Sequence, residues 1–186
     1  MSRVVYYAAM SLDGYIAESD DTLEWLMKFP GVEPGPAVTP VEGGYDEFYE
    51  GVGALVMGSV TYEFVLEHGG SWAYAGKPTW VLTTRDLPVF EGADDLRFTS
   101  AAVTDLHDEM VAAAGDRKLW VVGGGNVASQ FADAGLIDEV WVTVVPVVLG
   151  TGKPLFDRRL PDPAMRPTEV LPRASGMIEL RYELVR

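Results

Sequence analysis

The sequence predicts an α/β fold in which a mixed, mostly parallel sheet is covered by helices on both faces. Short, continuous apolar runs alternate with amphipathic ones, which is typical of buried parallel strands connected by helices. Two of these runs end at glycines that open a helix, at Gly58 and at Gly123. Two strand-like runs late in the chain, 139–149 and 178–185, predict antiparallel strands at the edge of this sheet.

The individual elements follow from hydrophobic periodicity and from their flanking turn residues. Strands are predicted at 4–10, 54–57, 79–83, 119–122, 139–149 and 178–185. Helices are predicted at 45–49, 59–67, 103–114 and 127–134. Pro146 predicts a bend or an exposed edge within 139–149, because proline cannot donate to a ladder. Residues 29–44 are rich in Pro and Gly and predict a long loop.

Length and composition indicate one domain spanning residues 1–186, with 48% hydrophobic residues, which excludes intrinsic disorder. No apolar run reaches the length of a membrane span. Residues 4–10 run directly into a turn, so they predict a first strand rather than a signal peptide, and a cytoplasmic protein is expected. The absence of Cys excludes disulfides and thiolate chemistry, and two His are too few for a His-rich metal site.

The charge distribution restricts the possible ligands. Fourteen basic and 28 acidic residues give a formal charge of −14, which argues against nucleic-acid and membrane binding. Between residues 4 and 76 the only basic side chain is Lys28. An anionic ligand must therefore be held by the later half of the chain or by backbone N–H groups.

The strongest local signal is a buried strand at 119–122 that runs into glycines and then into a helix. Glycines let the backbone approach a ligand closely, and a helix N-terminus offers N–H groups to a phosphate. The alternative is a tight turn that needs glycine without any ligand. The segment is not the G-x-G-x-x-G fingerprint, because Ala128 replaces the third glycine. The candidate binding residues are Gly123, Gly124, Gly125, Asn126 and Val127.

Two further turns offer groups that can bind phosphate. Gly58 and Ser59 precede a helix that also carries Thr61, although Gly-Ser is equally an ordinary helix cap. Thr83, Thr84 and Arg85 follow a strand, and the alternative is a turn with a surface arginine. Because ligands of α/β sheets bind outside the carboxyl ends of strands, the three turns together predict a dinucleotide site.

These segments resemble the dihydrofolate reductase superfamily, and within it the branch of the riboflavin-biosynthesis reductase (RibD C-terminal) domain. The resemblance covers nearly the whole chain from about residue 3. The matching segments taken together are specific for this resemblance, whereas each segment taken alone is not. The matching pieces are 8–17, 56–58 with 61–63, 77–85, 122–131, 136–140 and 148–156.

The resemblance implies an NADPH-dependent reductase of the dihydrofolate reductase-like three-layer fold, whose three turns hold the cofactor phosphates. It implies that the backbone near Ala9 holds the nicotinamide carboxamide, that Ile16 lies near the ring, and that the bond between Gly123 and Gly124 is cis. Many relatives have Arg where this chain has Ser59. Arg85 is then the expected partner of the adenosine 2′-phosphate, and the preference for NADPH over NADH is expected to be blunted.

The implied substrate is a pteridine- or pyrimidine-like heterocycle, either the phosphoribosylaminouracil of riboflavin synthesis or a dihydrofolate-like compound. Asp46 is the first candidate for the catalytic acid, and Glu47 is the second. The alternative is that both carboxylates are solvated charges at the start of a helix. The scarcity of early basic residues argues against a phosphorylated substrate, unless Lys153, Arg158 or Arg159 receive the phosphate. Trp25 is a further candidate for the pocket wall.

Two expectations concern association and the absence of turnover. The apolar run 140–149 predicts a homodimer, because pairing with a second copy would cover it. A non-catalytic dinucleotide sensor or assembly module is the alternative function, and an acidic structural subunit with empty glycine turns is a third.

Overall fold

The computed structural model describes residues 2–30, 32–33, 39–40, 45–160 and 164–185. Five helices lie in these ranges: α1 (Glu24–Met27), α2 (Tyr45–Glu50), α3 (Ser59–His68), α4 (Val103–Ala114) and α5 (Gly125–Asp133). The first six strands are β1 (Val4–Ser11), β2 (Tyr15–Ala17), β3 (Val32–Glu33), β4 (Thr39–Pro40), β5 (Val52–Gly58) and β6 (Thr79–Leu82). The last six are β7 (Leu96–Thr99), β8 (Lys118–Gly123), β9 (Glu139–Val145), β10 (Lys153–Pro154), β11 (Ala164–Pro172) and β12 (Ile178–Val185). Most of the predicted loop 29–44 lies outside the described residues.

Eight strands form one mixed sheet in the order β11-β12-β9-β1-β8-β5-β6-β7. The strands from β9 to β7 are parallel to their neighbours, whereas β12 and β11 are antiparallel. A short antiparallel pair, β2 with β10, lies apart from the main sheet. The predicted α/β class, with a mostly parallel sheet and antiparallel C-terminal strands, is confirmed.

Two apolar clusters cover the two faces of the sheet. On one face, α4 and α5 pack through Met110 and Phe131 against even-numbered residues of β1 such as Tyr6. On the other, α2 and α3 pack through Phe48 and Tyr62 against odd-numbered residues of β1 and β5. Successive side chains of a strand point to opposite faces, so each central strand contributes to both clusters. The expected helices on both faces are therefore present.

Most predicted elements occur within one or two residues of their expected bounds. The short helix α1 and six strands have no predicted counterpart, and two of these strands, β7 and β11, belong to the main sheet. The helix expected at 127–134 begins earlier, at Gly125, directly after the glycine turn. β7 was missed because Arg97 interrupts its apolar pattern; the guanidinium lies over the Trp80 ring, 4.4 Å from its centroid. β11 was missed because Pro167 and Pro172 break the strand signal, although an outermost strand tolerates proline.

The prediction that the run 139–149 is an edge strand is wrong. β9 ends at Val145, immediately before Pro146, and lies between β1 and β12. Its apolar residues are therefore covered within the chain, and no second copy is needed to pair with this strand. The homodimer remains a prediction, but the need to cover β9 no longer supports it. Within the described ranges, no helix is both long and apolar enough to cross a membrane.

Candidate functional site

A cavity of about 590 Å³ lies at the carboxyl ends of the central parallel strands. Ala9, Gly58, Leu82 and Gly123, which lie at or near the ends of β1, β5, β6 and β8, line it. α3 continues β5 onto one face of the sheet, whereas α5 continues β8 onto the other. The cavity therefore opens where adjacent strands send their helices to opposite faces, which is the usual ligand position in open α/β sheets. Its volume lies within the range of small-molecule sites.

The glycine turn between β8 and α5 gives the cavity a cradle made of backbone. Gly123 has φ +145°, a conformation that side chains disfavour, and its bond to Gly124 is cis, as the resemblance implied. A Cβ on Gly125 would lie 2.4 Å from the carbonyl oxygen of Pro154. The first N–H groups of α5 have no partner within the helix, so they are donors for an anion placed at this end.

Ten of the predicted cofactor residues line this cavity. Their common feature is that they end a strand, begin a helix or lie on β2. They are Ala9, Ile16, Gly58, Ser59, Thr61, Gly123, Gly124, Gly125, Asn126 and Val127.

The turn that follows β6 does not reach the cavity wall, although Leu82 before it does. Thr83, Thr84 and Arg85 are not among the lining residues. The Thr83 hydroxyl accepts a hydrogen bond from the Arg85 N–H at 2.9 Å, which closes the turn on itself. The Arg85 guanidinium donates to both carboxylate oxygens of Glu63 at 2.9 and 2.5 Å. The expected 2′-phosphate partner is thus already paired.

The structure does not bring Asp46 to the cavity. Asp46 and Glu47 are exposed on the first turn of α2, while Tyr45 lines the cavity and Phe48 is buried. The aromatic residues fix the orientation of this short helix and turn both carboxylates to solvent. The catalytic role predicted for Asp46 therefore has no support from its position. Trp25 is buried among Leu26, Val145 and Met177 and does not line the cavity.

Sequence analysis missed the aromatic end of the cavity, which lies over β1, β8 and β9. We call this group of five residues the aromatic end: Tyr7, Tyr45, Tyr74, Trp120 and Thr143. They come from five separate segments of the chain, so no local sequence motif predicts them. The one usable signal was Thr143, a polar side chain within an otherwise apolar run.

Contacts within the aromatic end hold its rings in place. The Trp120 indole N–H donates to the carbonyl of Tyr7 at 3.2 Å. The rings of Tyr45 and Tyr74 each lie edge-on to Trp120, with centroids 5.9 Å away. The hydroxyls of Tyr7 and Thr143 are 3.4 Å apart. Aromatic contacts of this kind stabilise a preformed wall against which a planar ring can pack.

Electrostatics divides the cavity into a neutral and a charged part. Burial raises the pKa of the Tyr7, Tyr45 and Tyr74 hydroxyls, so they remain protonated and can donate hydrogen bonds at neutral pH. Near α5, hydrogen bonds from Arg158 and then Asn126 lower the pKa of Asp157 to about 2, so this carboxylate is ionised.

Lys153 is the only lysine or arginine that lines the cavity within the described ranges, and it pairs with Asp21 at 3.3 Å. The strand pair of β2 and β10 places it there. Among the same residues, no group of three or more His, Asp or Glu side chains could hold a metal ion.

The fold is that of dihydrofolate reductase-like proteins. The dihydrofolate reductase of Enterococcus faecalis, solved in complex with NADP(H) and RAB-propyl, superposes with a TM-score of 0.63 at 16% identity, covering 99% of this chain and 97% of that one. The "putative riboflavin biosynthesis protein" of Shewanella sp. PV-4 superposes with a TM-score of 0.81 at 28% identity, over the whole of both chains.

The sequence comparisons identify the branch. The family model of the RibD C-terminal domain matches residues 63–178. The "uncharacterized protein YwjB" of Bacillus subtilis (strain 168) is 32% identical over 154 residues, covering 83% of this chain and 82% of that protein. The chain therefore belongs to the RibD C-terminal domain family, and the resemblance stated from its motifs is confirmed.

Proposed function

We propose that this protein is a reductase that transfers hydride from a reduced nicotinamide dinucleotide to a pteridine- or pyrimidine-like heterocycle. The observation that carries this proposal is the construction of the cavity. A backbone cradle for a diphosphate and an aromatic end for a planar ring lie in the same cavity. NADPH is the dinucleotide that the family resemblance implies, and the NADP(H) of the Enterococcus dihydrofolate reductase supports it.

The cradle fits a dinucleotide diphosphate without any arginine. The absence of a side chain at Gly125 lets the start of α5 pack closely against β10, and residues 124–127 at this helix N-terminus line the cavity. Ser59 and Thr61 begin α3 on the opposite wall and offer hydroxyl groups to phosphate oxygens. When bound, the nicotinamide would supply the hydride, and the chain itself binds, orients and excludes water.

At the aromatic end, the side chains of this chain position the heterocycle. Trp120, Tyr45 and Tyr74 provide flat apolar surface, while the protonated hydroxyls of Tyr7 and Thr143 donate to ring carbonyl or nitrogen acceptors. Holding the ring at a fixed angle to the cofactor contributes to rate by orientation.

The charges favour a heterocycle without a phosphate group. Only Lys153 could balance a phosphate on the cavity wall of the described residues, and it already pairs with Asp21. Arg158 pairs with Asp157 and Asp133. We therefore propose an unphosphorylated pteridine or pyrimidine rather than the phosphoribosyl compound of riboflavin synthesis.

A turnover assay tests the proposal. Purified protein is mixed with NADPH or NADH and with dihydrofolate or aminopyrimidines, with and without a ribose phosphate, and loss of the reduced-nicotinamide absorbance is followed. Oxidation that depends on an unphosphorylated heterocycle is the expected result. Binding of the dinucleotide without turnover of any of them would instead support the sensor function.

The homodimer also stays a proposal. One of the two edges of the described sheet is β11, whose residues from Met165 to Val170 are exposed, and the other is β7. An edge strand can pair with a second copy, although Pro167 restricts how much of it can do so. Light scattering at micromolar concentration separates a dimer from a monomer.

A further inference from the structure

The position of the cavity on the sheet determines where each end of a dinucleotide lies. The sheet order places β9 and β1 on one side of β8, and β5 and β6 on the other. The aromatic end lies over β9, β1 and β8, the cradle follows β8, and Ser59 and Leu82 line the side of β5 and β6. The diphosphate is the middle of a dinucleotide. With the nicotinamide toward the aromatic end, the adenosine ribose lies beside Ser59 and Leu82.

The arginine at this adenosine side is neutralised by a carboxylate. Arg85 lies three residues beyond Leu82, and its guanidinium forms a two-pronged ion pair with Glu63. Glu63 lies one helical turn beyond Ser59 on α3. The side chains of Arg85 and Glu63 are 50% and 36% exposed, so the arginine can reorient, but the glutamate remains next to it. A phosphate approaching this pair meets no net positive charge.

The surroundings of the pair are acidic. Glu63 also lines a side cleft between α3 and the segment before α1, together with Asp20, Asp21, Glu24 and Glu67. This cleft joins the cavity through Val60 and Phe64. Of the residues that the structure describes, His68 also lines the cleft and no lysine or arginine does, although Lys153 and Lys28 pair with Asp21 and Glu24. The remaining stretches of sequence contain none except Arg186.

NADPH and NADH differ only at the ribose 2′ position, where the first carries a phosphate with a charge near −2 and the second a hydroxyl. A carboxylate repels the phosphate and can accept a hydrogen bond from the hydroxyl. We infer that this site binds NADH at least as tightly as NADPH, and that Glu63 sets this selectivity. The inference rests on the proposed function, because it concerns the dinucleotide of the same cavity.

The test measures the dissociation constants of both dinucleotides by fluorescence energy transfer from tryptophan, in the wild type, Glu63→Gln and Glu67→Gln. The Glu63→Gln change removes the charge beside Arg85 and keeps a side chain of the same size. Glu67 is one turn further along α3 and is not paired with Arg85, so its change removes equal charge without freeing the arginine. Thermal melting of each variant checks that it is folded.

We expect the wild type to bind NADH as tightly as NADPH or more tightly. Glu63→Gln is expected to shift the ratio of the two constants toward NADPH about tenfold, and Glu67→Gln by less than about twofold. A wild type that binds NADPH more tightly overturns the inference and leaves the reductase proposal intact. Equal shifts of this ratio in Glu63→Gln and Glu67→Gln would also overturn the inference and leave the reductase proposal intact. Failure of either dinucleotide to bind overturns the proposed function and the inference with it.

Discussion

The two ends of the cavity are built in opposite ways. The cradle at the start of α5 consists of the consecutive residues 123–127, and the start of α3 adds the small hydroxyl residues Ser59 and Thr61. The aromatic end consists of large side chains that five distant segments bring together. Backbone donors recognise a diphosphate whatever the adjoining side chains are, whereas the aromatic side chains determine which ring fits. Under the proposed function, cofactor binding therefore depends on local geometry, and substrate choice depends on the packing of the whole sheet.

The largest expected effect comes from filling the cradle. In Gly125→Ala, the new Cβ would meet the backbone oxygen of Pro154 at 2.4 Å, so α5 and β10 must separate. Overpacking of this kind costs about 2 kcal/mol of unfolding free energy and lowers the melting temperature by about 6 °C. We also expect dinucleotide binding to be lost, as measured by fluorescence titration.

Gly70→Ala is the matched control for this change, because a Cβ at Gly70 meets nothing within 4 Å. We expect it to melt and to bind as the wild type does. A Gly125→Ala variant that kept wild-type affinity would contradict the role assigned to the cradle.

A change confined to the aromatic end separates substrate positioning from cofactor binding. Tyr7→Phe removes one hydroxyl from the cavity wall. We expect turnover of the heterocycle to fall about tenfold, as for one lost hydrogen bond, while the dissociation constant of the dinucleotide changes less than about twofold. Tyr49→Phe is the control, since that hydroxyl donates to the carbonyl of Ala73, away from the cavity wall. Equal losses in both variants would contradict the assignment.

The ion pair of Lys153 and Asp21 gives a smaller effect at the charged part of the cavity. Asp21→Asn frees the ammonium group, and we expect dinucleotide affinity to rise about threefold, an effect that salt reduces. Lys28→Met removes a cation that pairs with Glu24 and does not line the cavity, so affinity should stay unchanged. A lower affinity in Asp21→Asn would show that the carboxylate itself contributes to the site.

The smallest expected effect concerns pH. The folded state lowers the pKa of Asp157 to about 2, chiefly through Arg158, so the ionised carboxylate stabilises the fold above the unfolded pKa of about 4. That contribution is lost as pH falls from about 4 toward 2. Because the carboxylate is partly exposed, we expect Asp157→Asn to cost about 1 kcal/mol at neutral pH and only a small part of that at pH 2, where the folded carboxylate is half ionised.

Denaturant titrations at several pH values measure this difference. Asp94→Asn is the control at an exposed carboxylate, where a change within about 0.5 kcal/mol is expected. A cost for Asp157→Asn that did not depend on pH would mean that the loss comes from packing rather than from charge.

The same contrast explains what the sequence could predict. Residues 119–126 display a strand, three glycines and a helix start in one stretch, so the cradle is readable from local pattern and resemblance. Tyr74 and Tyr45 follow no such pattern, and their convergence on Trp120 depends on how α2 and the loop before β6 pack on the sheet. The resemblance indicates a carboxylate on the helix before β5 and so points to Asp46, but the aromatic face of α2 turns that side chain outward.

Strand order was the other feature beyond the reach of local pattern. The apolar run of β9 is typical of a covered strand, but its neighbours β1 and β12 come from the two ends of the chain. Only those long-range pairings show that the run is covered by the chain itself. The pairing of Arg85 with Glu63 is likewise hidden from local pattern, because the two residues are 22 positions apart. This pairing neutralises the arginine that the sequence predicts as a phosphate ligand.

The central claim is that one cavity holds a dinucleotide at its backbone cradle. It is tested most directly by titrating the wild-type protein with NADH and with NADPH and following energy transfer from tryptophan. The account predicts saturable binding of one dinucleotide per chain, with NADH bound at least as tightly as NADPH. The absence of binding by both would contradict it.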